Sequence, residues 1–424
     1  MAPTPYPTTI QSLPPELIAA ILECLQSDKN SLKSCTLVCS AWLNPSRSCL
    51  WHEAQFIGFQ QPLFYNNFMI SLRFGDLINI GQHIRKLTLV GPNITEGYNV
   101  PTGCPARPLS TTVLIAILDQ LKNLRKLELQ DFNLALDLST SYCRKDIFSN
   151  SVLETLVLID VMTDQSSSRK ALLDFLPIIF PSLKELRASA FRPDDDIDVE
   201  GRPLSGLRHL SVNLITPSDV RFCRRMLMAQ PIRRLDLFAF STSKEQKFLA
   251  SGATSIQYLS LHLVNFLSRF NPKDLNLTSY TVLESLDISI EVPSGITLEE
   301  LSITTSDLFK FIVSTLTSIA MPPQLETLVL RLGMVVDSDT RWVLHSEFGA
   351  QWAQIAEAVN VRPEPKKVVV LLQEHDPYTY SQWGSEHMNT WTRTTSSHGP
   401  TCGHEIFTSN RFMVNSVRLS SPNY

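Results

Sequence analysis

Leu13-Pro14-Pro15-Glu16-Leu17-Ile18-Ala19-Ala20-Ile21-Leu22-Glu23-Cys24-Leu25 is the stretch on which the reading of this chain turns. Pro14 and Pro15 suit a first helical turn, where a missing N–H costs nothing, so a helix is predicted to begin at Ser12 or Leu13. Apolar residues at 17, 18, 21, 22 and 25 then form one helical stripe. A second stripe follows at Leu32, Cys35, Val38 and Cys39, with Leu37 beside it, and Trp42, Leu50 and Trp51 close the segment. A unit of roughly 45 residues cannot hide that much apolar surface within itself. The surplus implies a partner.

The ordered set Leu-Pro-x-Glu-Leu, Ile-Leu-x-x-Leu, Leu-Val-Cys-x-x-Trp and Leu-Trp, spanning residues 10–55, resembles the F-box. The resemblance implies a three-helix module that docks on the Skp-type adaptor of a cullin-containing ubiquitin ligase. It implies that Leu13, Pro14, Leu17, Ile21, Leu22 and Leu25 form the first adaptor-facing helix. Leu37, Val38, Trp42 and Trp51 match family positions divided between the module's core and its partner. The residues alone leave those two roles unseparated, and all ten are carried as adaptor-binding positions.

Past residue 80 a short pattern recurs: an aliphatic residue, two variable residues, Leu, one variable residue, then another aliphatic residue. It reads Ile84-Leu87-Leu89, Leu124-Leu127-Leu129, Leu153-Leu156-Leu158 and Leu207-Leu210-Val212. It continues as Ile232-Leu235-Leu237, Ile256-Leu259-Leu261, Leu283-Leu286-Ile288 and Leu325-Leu328-Leu330. Leu183-Leu186-Ala188 is a weaker copy and Val368-Val370 a degenerate last one. Alternating apolar strands at such intervals predict a leucine-rich-repeat α/β solenoid with parallel strands, each unit burying its apolar side on the next. Helices are expected between strands: after Thr216-Pro217, from the capping box Thr242-x-x-Glu245 to Gly252, over Val113–Leu121 and over Leu308–Ile319. In the common repeat an Asn usually sits three places after the last strand leucine. Here those positions hold residues such as Pro92, Phe132 and Val161, so an irregular solenoid is expected.

The domain reading is then a flexible arm at 1–9, the F-box at 10–55, a packed helical connector at 56–83, the solenoid at 84–374, and a C-terminal segment at 375–424. That last segment either caps the solenoid or is partly disordered. The arrangement resembles fungal F-box proteins with divergent leucine-rich repeats.

Composition narrows the function classes. The 424 residues are 43% hydrophobic and 18% charged, as in a globular chain. A net charge of −4 and no basic stripe give no general attraction to nucleic acid or anionic lipid. Neither a secretory signal nor a membrane span is expected. Eight cysteines without a CxxC pair read as free thiols in a reducing compartment, cytoplasmic or nuclear, four of them at apolar positions of the N-terminal module.

Motifs with chemistry are weak. No nucleophile elbow, Walker loop, dinucleotide fingerprint or HExxH occurs. The Asp194–Glu200 stretch mimics a calcium loop, but its turn glycine would fall at Val199 and its closing Glu at Ser205, so it reads as a solvated acidic loop. His387, His398, Cys402 and His404 match no compact zinc finger. No cofactor, metal or catalytic residue is expected.

The residues flanking the strand leucines face away from the core. In the middle repeats His209, Arg234, Asp236, Phe238, Tyr258 and His262 are the expected client-binding positions. The chain is therefore read as a non-catalytic substrate receptor, with adaptor and cullin at one end and a protein client at the other. Two alternatives stand beside it: an interaction scaffold that builds no ligase, and an enzyme with a site near His375–His404.

Overall fold

Each of the ten Leu-x-Leu segments of the repeating pattern lies inside a β-strand in the computed structural model. The structure describes residues 13–57, 68, 70, 80–91, 109–135, 152–159, 161–163, 180–189, 204, 206–214, 217–240, 254–263, 277–291, 310, 313, 322, 324–335, 367–375, 408–409 and 412–418. The chain divides into two compact units, Met1–Lys184 with Arg192–Gly206, and Glu185–Phe191 with Leu207–Tyr424.

The first unit begins with three helices: α1 (Pro15–Cys24), α2 (Lys29–Cys35) and α3 (Ser40–Leu50). Pro15 occupies the first helical position of α1 and needs no hydrogen-bond acceptor there. Asp28 starts α2, its carboxylate accepting from the backbone N–H groups of Asn30 (3.1 Å) and Ser31 (3.0 Å). Ile18, Leu22, Leu32 and Trp42 form the core of this module. Leu13, Leu25, Cys35, Cys39, Cys49 and Leu50 pack against it. Of the four cysteines expected at apolar positions, Cys24 is instead exposed.

The chain passes straight from α3 into strand β1 (Glu53–Ile57), which pairs in parallel with β2 (Lys86–Val90). This corrects the expectation of a helical connector beginning at residue 56. Ala54 and Phe56 lie in register with Leu87 and Leu89, so Trp51-Ala54-Phe56 is a first, disguised copy of the repeating pattern. Further along, residues 68 and 70 are helical and Ile80–Gln82 forms a 3₁₀ turn.

Two more strands, β4 (Lys126–Gln130) and β6 (Thr155–Ile159), extend this parallel sheet in the order β1-β2-β4-β6. A small second parallel sheet forms from β3 (Leu109–Ser110), β5 (Asn133–Ala135) and β7 (Met162–Thr163). Helix α4 (Thr111–Gln120) is capped by Ser110, which accepts from the Val113 N–H at 3.3 Å. It buries Leu114, Ile115 and Ile117. At turn positions where the common repeat has Asn, Phe132 and Val161 are fully buried, so apolar packing holds these corners. Gly91 closes the turn after β2, where any β-carbon would fall on the Asp131 carbonyl oxygen. Asp131 itself adopts φ 59°, a left-handed conformation that Asp tolerates better than most residues.

The second unit is one mostly parallel sheet. Its strands are β8 (Glu185–Ser189), β9 (His209–Asn213), β10 (Arg234–Phe240), β11 (Tyr258–Leu263), β12 (Ser285–Glu291), β13 (Thr327–Val335), β14 (Lys367–His375), β15 (Thr408–Ser409) and β16 (Phe412–Arg418). They pair in sequence order except that β16 lies between β14 and β15, and only β15 runs antiparallel. The C-terminal segment therefore carries two strands, with Phe412 in register with Val368 and Val414 with Val370. Helix α5 (Pro217–Ala229) links β9 to β10 and buries Phe222, Cys223, Met226 and Leu227. Together the units give the expected α/β class.

Several expectations lie outside the described residues: the arm at 1–9, the helix over 242–252, the acidic stretch at 194–200 and the group from His387 to His404. Within the segment 308–319 only Lys310 and Val313 are described, both helical. Among the described residues no helix is long and apolar enough to cross a membrane.

The alternation of the strands makes a sharp contrast testable. Leu259 is buried while its neighbour Tyr258 is exposed. Leu259→Ala should cost about 2–5 kcal/mol, as for other large-to-small core changes. Tyr258→Ala should stay within about 0.5 kcal/mol of the wild type. Urea denaturation followed by far-UV circular dichroism checks both.

Candidate functional site

Helix α1 does not use its apolar stripe as one surface. Ile18 and Leu22 turn inward and are buried, whereas Leu17 and Ile21 are 52% and 42% exposed. The turn between α2 and α3 presents Leu37 and Val38 at 86% and 53% exposure. Pro14 is also exposed; Leu13, Leu25 and Trp51 are half-buried. Trp42 is buried in the module's core. Burial therefore reassigns two of the ten adaptor-binding positions: Leu22 and Trp42 hold the module together and offer no surface to dock on. The residues that remain uncovered are large and aliphatic, set on a module whose own core is already filled. Single exposed leucines need no explanation, but four on so small a module mark a contact surface.

Residues 10–56 match the F-box-like family model. No curated protein matches the chain. F-box domains dock on Skp-type adaptors, and that is the kind of partner this F-box-like domain implies.

The second surface belongs to the other unit. Strand register places Glu185, His209, Arg234 and Tyr258 in one row across β8 to β11. Arg187, Ser211, Asp236, Ser260 and Asp287 form the next row, across β8 to β12. These positions alternate with the buried leucines, so they share the sheet's other face. At its centre the His209 imidazole lies between two carboxylates, Nδ1 at 2.9 Å from Glu185 and Nε2 at 2.6 Å from Asp236. A neutral imidazole has one N–H, so two carboxylate acceptors require the doubly protonated ring.

The electrostatics agree. Burial opposes charge on His209, but its bonds to Asp236 and Glu185 outweigh that and raise its pKa. Burial likewise opposes charge on Glu185 and Asp236. The His209 imidazolium, with Arg187 beside Glu185 (2.6 Å) and Arg234 beside Asp236 (3.2 Å), nevertheless holds both carboxyls below their usual range.

Two further groups adjoin this network. The His262 ring stacks on Phe238, with centroids 4.2 Å apart and planes 16° apart. Burial pushes its pKa down to about 4, so it is neutral at physiological pH. Asp287 receives the Arg331 guanidinium at 2.7 Å, yet burial still leaves its carboxyl above the ordinary value. The six expected client-binding residues thus fall on one sheet face, where His209 and Asp236 are tied into the network and Arg234 and Tyr258 stand exposed.

Sequence reasoning missed Glu185, Arg187, Asp287 and Arg331. A signal was present for all four: the first three occupy the same flanking positions of the strand pattern as His209 and Asp236, and Arg331 occupies that of His262. Among the described residues no nucleophile–base pair stands out on this face, and no His, Cys, Asp and Glu group could hold a metal.

The network makes stability depend on pH in a definite direction. A raised His209 pKa gives stabilisation that is complete below about pH 6.5 and fades as pH rises through the folded value. The lowered carboxylates act oppositely: their contribution is present above about pH 4 and is lost only as acid reaches their depressed values. His262, held neutral, works against His209, so a difference measurement isolates the effect. The destabilisation caused by His209→Ala should be largest near pH 5.5–6.5 and shrink steadily towards pH 9. Denaturation midpoints of both proteins across that range test it, and a pH-independent difference would refute the imidazolium assignment.

Proposed function

We propose that this protein is the substrate-recognition subunit of a Skp–cullin–F-box type ubiquitin ligase. The observation that carries the reading is the uncovered set Leu17, Ile21, Leu37 and Val38 on an F-box-like module whose core is already complete. The module supplies the adaptor contact. The repeating parallel-strand region, read as an irregular leucine-rich-repeat solenoid, supplies the client surface. The buried pattern supports this, since the same three apolar positions recur from strand to strand and pack one upon the next. Such a subunit is not itself an enzyme. It acts by holding a client near the partners that carry the chemistry, which raises the effective concentration of the reacting groups. The working compartment is cytoplasmic, nuclear or both.

Two substitutions distinguish docking from folding. Leu17→Asp and Ile21→Asp place a carboxylate where the adaptor would bury it, at a cost of several kcal/mol, and should abolish adaptor recovery while the circular dichroism spectrum stays unchanged. Leu22→Asp puts the same charge in the module's core and should lose adaptor recovery together with helical signal. Affinity purification and mass spectrometry read both outcomes. Adaptor recovered without cullin would support the scaffold alternative; unchanged recovery with both surface variants would refute the docking face.

The client surface has its own test. Arg234→Ala combined with Tyr258→Ala removes two exposed side chains from the charged sheet face and should abolish capture of non-adaptor partners. Adaptor binding should stay as in the wild type and the sheet should stay folded, with a lowered melting temperature from loss of the Arg234–Asp236 pair. Quantitative pull-downs that keep the same partners would move the client site elsewhere.

A further inference from the structure

Helix α5 divides sharply by face. Phe222, Cys223, Met226 and Leu227 are buried, whereas Arg221, Arg224, Arg225 and Met228 fall on the opposite stripe. Arg221 and Arg224 are exposed, Arg225 is half-buried, and Met228 is 67% exposed. Arg233, four residues past the helix end, is exposed as well. Residues 220–234 carry five arginines and no acidic side chain, in a chain whose net charge is −4. Among the described residues Arg224 and Arg233 have no salt-bridge partner.

The negative balance of the whole chain does not cancel this excess. At physiological ionic strength a charge is felt over about 8 Å, so a partner approaching α5 meets the local charge before the net charge. The pattern also selects among partners. An outward helix stripe is neither cleft nor recess, so it suits a target whose charge is spread over a plane. It holds no exposed aromatic ring on which a base could stack, because Phe222 is buried. At a bilayer interface, by contrast, Met228 meets the acyl boundary while the neighbouring guanidiniums stay among the headgroups.

We propose that the outer stripe of α5 adsorbs to an anionic membrane, of the phosphatidylserine-containing kind found on cytoplasmic leaflets. The contact is peripheral and reversible, since α5 keeps its apolar face in the core of its own unit and offers the bilayer arginines and one methionine. For this one helix it revises the expectation, drawn from overall composition, that the chain has no attraction to anionic lipid. It is independent of adaptor docking.

The test sediments the full-length chain with vesicles of phosphatidylcholine alone or mixed with phosphatidylserine. Only the mixed vesicles should carry protein down, and raising the salt to about 0.5 M should release it. Arg224→Glu should weaken binding on the order of twentyfold, two charge steps at about fivefold each. Arg224→Lys should stay within about twofold of the wild type, because a bilayer reads charge and not the guanidinium fork. Met228→Asp should weaken binding and Met228→Trp should strengthen it. Lys33→Glu, the same charge change at an exposed position of α2, should leave binding unaltered. Circular dichroism of every variant should match the wild type, since all three positions are exposed. The proposal is overturned by equal sedimentation with both vesicle types, by none with either, or by Lys33→Glu acting as strongly as Arg224→Glu. A loss with Arg224→Lys as large as with Arg224→Glu would also overturn it, in favour of a partner that reads the fork itself. Double-stranded RNA or poly-glutamate bound as tightly as the mixed vesicles would do the same. Because the chain is tested alone, failure here leaves the ligase reading standing, and failure of adaptor docking leaves this contact standing.

Discussion

The row of aliphatic side chains that crosses the second unit is the constraint on which its other features depend. Leu186, Leu210, Leu235, Leu259, Leu286, Leu328 and Val368 stand in register on seven successive strands, all fully buried. One strand of five to nine residues cannot hide such a side chain alone, so the burial of each depends on the strands stacked beside it. Because side chains alternate along a strand, fixing the leucines inward also fixes their neighbours outward. A slip of one residue in β9 or β10 would turn His209 or Asp236 to the apolar side, at a cost far above that of losing one methyl group. Hydrophobic register thus aligns the charged face.

The charged face then has an economy of its own. Three strands present acid and base so that every central group has an opposite partner: Glu185 with Arg187 and His209, and Asp236 with His209 and Arg234. Groups paired this fully have little capacity left for a ligand. Burial makes breaking them costly, so the network acts as a clamp across β8, β9 and β10. The rim of the face, where Arg234 keeps about half its side chain in solvent while paired with Asp236 and Tyr258 stands exposed, is open to contact with other molecules.

Legibility in the sequence followed the physics of burial. The leucine pattern announced ten strands because buried aliphatic positions recurring at fixed spacing leave a strong, repeated mark. Strand β1 escaped it because its copy reads Trp51-Ala54-Phe56, where Ala and Phe take the places of two leucines. Strand β16 escaped because Phe412 and Val414 follow a stretch rich in Ser, Thr and Asn. In the N-terminal module the helices were evident, but the apolar stripe could not say which members faced inward. Leu17 and Leu22 look alike in a helical projection; only the packing of α1 on Leu32 and Trp42 separates them. The charged network was half visible, since flanking positions can be named from the pattern while their pairing depends on register between strands.

The junction after α3 ties these levels together. The backbone N–H groups of Arg85 and Lys86 both donate to the His52 carbonyl at 3.0 Å, and Lys86 pairs with Glu53 at 3.2 Å. The same two-to-one backbone pattern recurs ahead of later strands, with Arg125 and Lys126 on Arg85, and Glu154 and Thr155 on Arg125. The last turn of the F-box-like module is therefore built as the first turn of the sheet, with Trp51 ending α3 and occupying the first apolar position of the pattern. A flexible linker would let the module pivot against β2. Here the pairing of β1 with β2 begins at Glu53, three residues after the last residue of α3, and buries Ala54. The module that presents Leu17, Ile21, Leu37 and Val38 thus runs without a spacer into the hydrogen-bonded start of the parallel sheet, where His52 accepts from both Arg85 and Lys86.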